Sequence, residues 1–139
     1  MRLWPWLTAP KATRMKREDI PCNETPIQIA IVDWLRMVLP KDKVHHSPNG
    51  EKRDKKTAAI LKRMGVLAGW PDITIMTHDG RCVFLEVKRA KGGRLSKDQE
   101  DFRDFCLAAK IPWAETRSID AAREALRMFN VQTREASFD

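Results

Sequence analysis

Two acidic residues and one lysine have a spacing that could hold a metal ion against a phosphate. Asp72 precedes one apolar run, and Glu86-Val87-Lys88 ends the next run, with Glu86 fourteen residues after Asp72. If the two runs form a hairpin, both carboxylates and the ammonium reach one edge of a small sheet. The carboxylates and the Val87 main-chain carbonyl could bind Mg²⁺ or Mn²⁺, which prefer oxygen ligands, and Lys88 could orient a water or stabilise phosphate charge. A nuclease is the first hypothesis, and a surface ion pair is the alternative.

The turn sequence of this hairpin, His78-Asp79-Gly80, leaves two strand registers open. A two-residue turn pairs Ile73 with Glu86, whereas a three-residue loop with a left-handed glycine pairs Ile73 with Leu85. We expect the second register, because it pairs apolar residues with apolar residues. It also sets Asp72 opposite Glu86, so packing and chemistry favour the same register.

Glu24 and Gln99 are further candidates, each with a structural alternative. Glu24 lies in the first turn of a predicted helix, where it could bind a metal or water or simply favour the helix dipole. Gln99 completes the capping box Ser96-x-x-Gln99, and could instead contact the phosphate or the water. We expect that one rotamer of Gln99 cannot fill both roles.

Three tryptophans and one histidine have predicted positions or roles that rest on less evidence. Trp34 and Trp113 are predicted to lie in the core, and Trp70 could stack on a base or ribose. His46 could face the site, although a packed or solvent-bonded imidazole is the simpler expectation.

Composition favours one basic domain with a polyanionic partner. The chain has 139 residues and a net charge of +7, which suits one modest core and nucleic acid. Lysines that only maintain solubility are the alternative. The basic residues cluster in 41–63 and 88–97, and those expected to contact the DNA backbone are Lys52, Arg53, Lys55, Lys56, Arg89, Lys91 and Arg94.

The cysteines and the apolar segments indicate a cytoplasmic protein. Cys22, Cys82 and Cys106 are few and widely spaced, which disfavours disulfides, and no spacing is typical of zinc. No apolar run is long enough to span a bilayer. Pro5 interrupts the apolar start of the chain, and no signal-peptide core follows.

The pattern of apolar residues predicts three regions. Residues 1–20 form a basic and aromatic arm, partly flexible, 21–132 form the domain, and 133–139 form a loose tail. The predicted order is helix, strand, helix, hairpin, helix, strand, helix, which gives an α/β fold with a mixed sheet flanked by helices. The first helix has two possible starts: a capping box Thr25-x-x-Gln28 with Pro26 at the first helical position, or an Asn23 cap with Glu24 in the first turn.

In combination, these residues resemble the virus-type replication-repair nuclease family (VRR-NUC) of the PD-(D/E)XK nuclease superfamily. The resemblance runs from about Asn23 to Phe129. Trp70 departs from the pattern, since a small aliphatic residue is more usual there. The matching segments are Glu24 with Gln28, His46 to Gly50 with Arg53, Ala59 to Asp72, Glu86-Val87-Lys88, and Gly93 to Gln99.

The resemblance implies a restriction-endonuclease-like core that cleaves DNA with Mg²⁺, for which Mn²⁺ could substitute. It implies Asp72, Glu86 and the Val87 carbonyl as metal ligands, with Glu24 as an auxiliary acid that could also bind the metal. Lys88 would be the catalytic lysine and Gln99 an active-site residue. Small stand-alone members resemble junction resolvases, which act as homodimers on branched, Holliday-junction-like DNA in repair. The resemblance also implies that the cytoplasm is that of a bacterium or of a phage-infected cell.

Two other classes of function stay open at this point. The chain could be a DNA-binding protein without catalysis on a nuclease core. It could also be a subunit of a larger repair complex, in which Trp4 and Trp6 of the arm dock on a partner.

Overall fold

Helices and short strands alternate along the chain in the predicted order, and this part of the prediction is confirmed. The computed structural model describes residues 24–48 and 54–135. The elements are α1 (Glu24–Val38), β1 (Lys43–His46), α2 (Lys55–Arg63), β2 (Ile73–Met76), β3 (Cys82–Val87), α3 (Lys97–Ala109), β4 (Trp113–Thr116) and α4 (Ile119–Met128).

The four strands form one mixed sheet in the order β1-β2-β3-β4. The first two pairings are antiparallel and β3–β4 is parallel, so the predicted α/β class is confirmed. Because side chains alternate along a strand, Val83 and Leu85 of β3 face one side and Phe84 and Glu86 the other. The first side forms the main core with α1 and α4, which contribute fully buried residues such as Leu35.

The hairpin adopts the three-residue-loop register that apolar pairing predicts. Ile73 pairs with Leu85, and Ile75 pairs with Val83. Gly80 has a φ of 89°, a left-handed conformation that costs glycine little. This register continues to Asp72 and Glu86 at the end of the sheet, and it therefore positions the two acids across from each other.

Helix α1 begins at Glu24, which decides between the two predicted starts. Thr25 and Pro26 lie inside the first turn, so the Thr25 capping box is wrong. Proline is tolerated there because amides of the first turn have no partner within the helix. Asn23, the competing cap, lies outside the described residues.

The first part of the predicted tail is held against the domain. The Arg134 amide donates to the Val38 carbonyl at 2.7 Å. The Glu135 carboxylate accepts from Trp34 Nε1 at 3.0 Å and from Arg123 Nε at 2.9 Å. Residues 133–135 are thus anchored rather than loose, while 136–139 and the arm lie outside the described residues.

Within 24–48 and 54–135, no helix combines the length and the apolar character needed to cross a membrane.

Candidate active site

Asp72 is held at the start of β2 by contacts to its main chain and its side chain. Its carboxylate Oδ2 accepts from the Val87 amide at 2.8 Å. Its main-chain oxygen accepts from the Ser47 amide at 3.2 Å and lies 2.7 Å from His46 Nδ1. Strands β1 and β3 therefore fix Asp72 from both sides.

Glu86 is a buried carboxyl group, with only 1% of its surface exposed. Its Oε1 accepts from Gln99 Nε2 at 2.9 Å, whereas its buried Oε2 accepts from no N–H or O–H donor in the described part of the chain. Burial, the charge of Asp72 and direct contact with the Asp72 carboxyl raise the pKa of Glu86 to about 9. Glu24 adds to this rise and Lys88 opposes it. In the metal-free protein the Glu86 carboxyl therefore keeps its proton at neutral pH.

Lys88 lies beside Glu86 and is also buried. Its Nζ is 3.8 Å from Glu86 Oε1 and donates to Gln99 Oε1 at 3.1 Å. Residues 86 and 88 are two apart at the end of β3, which sends both side chains to the same side of the sheet. This is the side on which α3 lies.

Gln99 caps α3 and also contacts two residues of the site. That one rotamer cannot both cap the helix and contact a phosphate or water stays a prediction. Its Oε1 accepts from the Ser96 amide at 2.8 Å, which completes the capping box of α3. The same oxygen accepts from Lys88 Nζ, while Nε2 donates to Glu86. A primary amide has two acceptor sites and two donors, so one rotamer caps the helix and links the acid to the lysine.

Glu24 lies near the carboxylate pair, at the first turn of α1. Its Oε1 is 3.7 Å from the position that a Cβ on Gly93 would occupy, so it borders the loop that leads to α3. Its charge contributes to the raised pKa of Glu86. The structure thus brings together Glu24, Asp72, Glu86, Lys88 and Gln99; their catalytic roles stay predictions.

His46 and Trp70 support the site from its edges. His46 Nδ1 lies 2.8 Å from Gln28 Nε2 and contacts the Asp72 main chain, so it links α1 to β2. The Trp70 ring packs edge-on against Phe84 and Phe102, with centroids 5.4 and 5.1 Å away. Trp70 therefore joins the sheet to α3, and this packing disfavours the idea that it stacks on a base.

Five of the seven predicted DNA-contacting residues lie in the described part of the chain, and all five are exposed. Lys55 and Lys56 begin α2, and Arg89, Lys91 and Arg94 lie on the loop that follows β3. The other two, Lys52 and Arg53, lie outside the described residues.

Arg117 organises the loop that follows β3, and sequence reasoning missed it. Its guanidinium donates to the Arg89 carbonyl at 2.8 Å, the Gly93 carbonyl at 3.1 Å and the Gly92 carbonyl. It also pairs with Glu115 at 2.5 Å. Bonds to main-chain carbonyls leave no residue pattern, so no signal in a single sequence identifies this arginine.

The donor groups of the site suit a hard divalent cation. Within the described residues, no three His, Cys, Asp or Glu side chains converge as a metal-binding group. Two carboxyl groups do face each other, and Glu86 Oε2 is buried without an N–H or O–H donor. A divalent cation would satisfy that oxygen and offset the repulsion, with main-chain oxygen and water as further ligands, a donor set that Mg²⁺ accepts.

The fold is similar to that of a solved structure described as a VRR_NUC domain protein. The two share 21% sequence identity, with a TM-score of 0.59, over 77% of this chain and 87% of that chain. No protein-family model matches the sequence, and no curated protein matches it. At this identity the likeness shows a common fold, which is the α/β architecture with a four-stranded mixed sheet described above.

Proposed function

We propose that this chain is a Mg²⁺- or Mn²⁺-dependent endonuclease of the VRR-NUC type that hydrolyses phosphodiester bonds in DNA. The observation that carries the proposal is the contact between the Asp72 and Glu86 carboxyl groups, with Glu86 Oε2 buried and without an N–H or O–H donor. A buried carboxyl oxygen normally accepts from such a donor. The fold shared with a VRR_NUC domain protein supports the same assignment.

Each residue of the site would have a defined task. Asp72, Glu86 and the Val87 carbonyl would hold the cation, with Glu24 assisting, and the cation would supply charge neutralisation and activation of water. Lys88 would stabilise negative charge that develops on the phosphate. Gln99 would hold Lys88 and Glu86 at a fixed separation, as its bonds of 3.1 and 2.9 Å allow.

Branched DNA is the proposed substrate, and a homodimer is the proposed working form. Both proposals follow from the family resemblance, whereas the proposed place, the cytoplasm, follows from the few and widely spaced cysteines. A two-fold symmetric protein suits a substrate that must be cut symmetrically on two strands. The exposed basic residues of α2 and of the loop after β3 would contact the phosphate backbone.

Cleavage of a four-way DNA junction in Mg²⁺ or Mn²⁺ tests the proposal. We expect the wild type to cut and Asp72→Ala and Glu86→Gln to lose more than about 100-fold in rate, since even residues outside the first coordination shell cost 10- to 100-fold. Glu124→Gln is the matched control, because that exposed carboxylate lies on α4. Absence of cutting by the wild type with either metal would refute the catalytic proposal. Tight junction binding without cutting would then favour the DNA-binding alternative.

A further inference from the structure

An open apolar groove lies between α3 and the loop that precedes β2. It has a volume of about 600 Å³, and its walls include Leu67, Trp70, Phe84, Phe102, Phe105 and Ile111. Phe105 is 63% exposed and Leu67 is 55% exposed. An exposed apolar patch with an aromatic floor is typical of a surface that another segment covers.

The charged residues on the rim of this groove are acidic. Among the described residues that line it, Asp98 and Asp101 are the charged ones. Asp101 also pairs with Lys97 at 2.9 Å, on the exposed side of α3. In a chain of net charge +7, this acidic rim favours an apolar segment that carries positive charge.

The N-terminal arm of the chain has that character. It begins with the apolar segment Leu3-Trp4-Pro5-Trp6-Leu7 and continues with Lys11, Arg14, Lys16 and Arg17. A residue before proline favours an extended conformation, and in an extended chain residues 4 and 6 point to the same side. Two indoles on one side could bury about 150–250 Å² each.

The arm is also long enough to reach the groove of its own chain. Trp6 precedes Glu24 by 18 residues, which span at most about 60 Å when extended. The radius of gyration of a 100-residue domain is only about 13 Å. Glu24 borders Gly93, on the loop that leads into α3.

We propose that Trp4 and Trp6 dock in this groove of the same chain, with the following lysines and arginines beside Asp98 and Asp101. This proposal does not depend on nuclease activity.

Fluorine NMR of the full chain, with 5-fluorotryptophan at all five tryptophans, tests the docking without DNA. Trp4→Phe and Trp6→Phe assign the two arm signals. In the wild type we expect both signals to differ from those of a free peptide of residues 1–10 and to be shielded from a soluble paramagnetic reagent. Phe105→Ser should move both signals to the free-peptide positions and remove the shielding.

Leu107→Ser is the matched control, since Leu107 is equally exposed on α3, at 65%, and does not line the groove. It should leave both arm signals unchanged. Circular dichroism checks that both variants are folded. Free-peptide signals for Trp4 and Trp6 in the wild type would overturn the proposal, as would equal effects of the two serine variants. Shielding that disappears on dilution would place the arm on a second copy and would overturn the same-chain assignment.

Discussion

Gln99 is the single residue through which the helix cap and the candidate site depend on each other. Its oxygen accepts from the Ser96 amide and from Lys88 Nζ, and its nitrogen donates to Glu86. The amide is therefore fixed at both ends, and neither Lys88 nor Glu86 can rotate away without losing a bond to it. A side chain that only capped the helix would make no bond to either group.

Gln99→Ala and Ser96→Ala separate the two roles of this amide. Ser96→Ala removes the N-cap alone, so we expect it to lower the free energy of unfolding by about 0.5–2 kcal/mol. Gln99→Ala should lower it by more. Only Gln99→Ala also removes the bonds to Lys88 and Glu86. Hydrogen bonds to charged groups contribute about 1.5–3 kcal/mol each, so cleavage by Gln99→Ala should fall by about 10- to 100-fold. Rates measured at a temperature where both variants are folded provide the comparison, and equal rates would contradict this role.

The Glu86 carboxyl makes the stability of the metal-free protein depend on pH. Its pKa is about 9 in the folded protein, against an ordinary value of 4.5 for a glutamate. Between these values the folded state keeps a proton that the unfolded state has released. This stabilising contribution is therefore fully present below about pH 4.5 and is lost as the pH rises through about 9, with a slope of at most about 1.4 kcal/mol per pH unit.

Thermal unfolding in EDTA from pH 5 to pH 9 measures this effect. We expect the melting temperature of the wild type to fall across the range, and Glu86→Gln to remove this part of the fall because the amide does not titrate. Added Mg²⁺ should stabilise the wild type more at pH 9 than at pH 5, since ligand carboxyls must be ionised. The same pH dependence in Glu86→Gln would show that another group is responsible.

At the scale of the elements, the loop that precedes β2 and ends at Asp72 packs against the helix that carries Gln99. Gly69 lies against the first turn of α3 with a φ of 82°. A Cβ at this position would overlap the Asp98 carbonyl group and would lie 2.9 Å from the Gln99 amide nitrogen. Only glycine permits this close approach, which sets the distance between α3 and the start of β2.

Gly69→Ala should therefore displace α3 from the site. Gly80→Ala is the matched control, because its φ of 89° is similar and nothing lies within 4 Å of the added Cβ. Both variants pay the left-handed strain of about 1–2 kcal/mol, but only Gly69→Ala adds a backbone overlap. We expect Gly69→Ala to have the lower melting temperature and to lose cleavage at temperatures where both variants are folded. Equal melting temperatures and rates would contradict the close-packing argument.

The hairpin shows why part of this fold could be predicted from the sequence. Ile73 and Leu85 are apolar neighbours in only one register, so burial alone selects the strand pairing. The dual bonding of Gln99 and the carbonyl contacts of Arg117 depend on distances between elements, which no local pattern encodes. The anchoring of Glu135 by Trp34 is missed for the same reason, since 101 residues separate the two.

At the scale of the whole molecule, part of the exposed positive charge lies on the loop next to the candidate site, and the rest lies elsewhere on the surface. Arg89, Lys91 and Arg94 are exposed on the loop that Arg117 holds against β4. This loop joins the strand that carries Glu86 to the helix that carries Gln99. A DNA backbone that follows it would therefore pass the carboxylate pair.

Neutralising this loop should weaken DNA binding through the loss of phosphate contacts. For the triple variant Arg89→Gln, Lys91→Gln and Arg94→Gln, the slope of log affinity against log salt should shrink by up to about 2.7, because each phosphate contact contributes about 0.9.

The matched control replaces Arg36, Lys110 and Arg127, three exposed basic residues on or next to other helices, and loses the same net charge. Fluorescence anisotropy with a labelled four-way junction in EDTA, at several salt concentrations, measures both slopes without cleavage. Because net charge alone attracts DNA over long distances, the control should lose some affinity and keep its slope. Equal loss of slope in both triples would mean that the loop after β3 is not the DNA-binding surface.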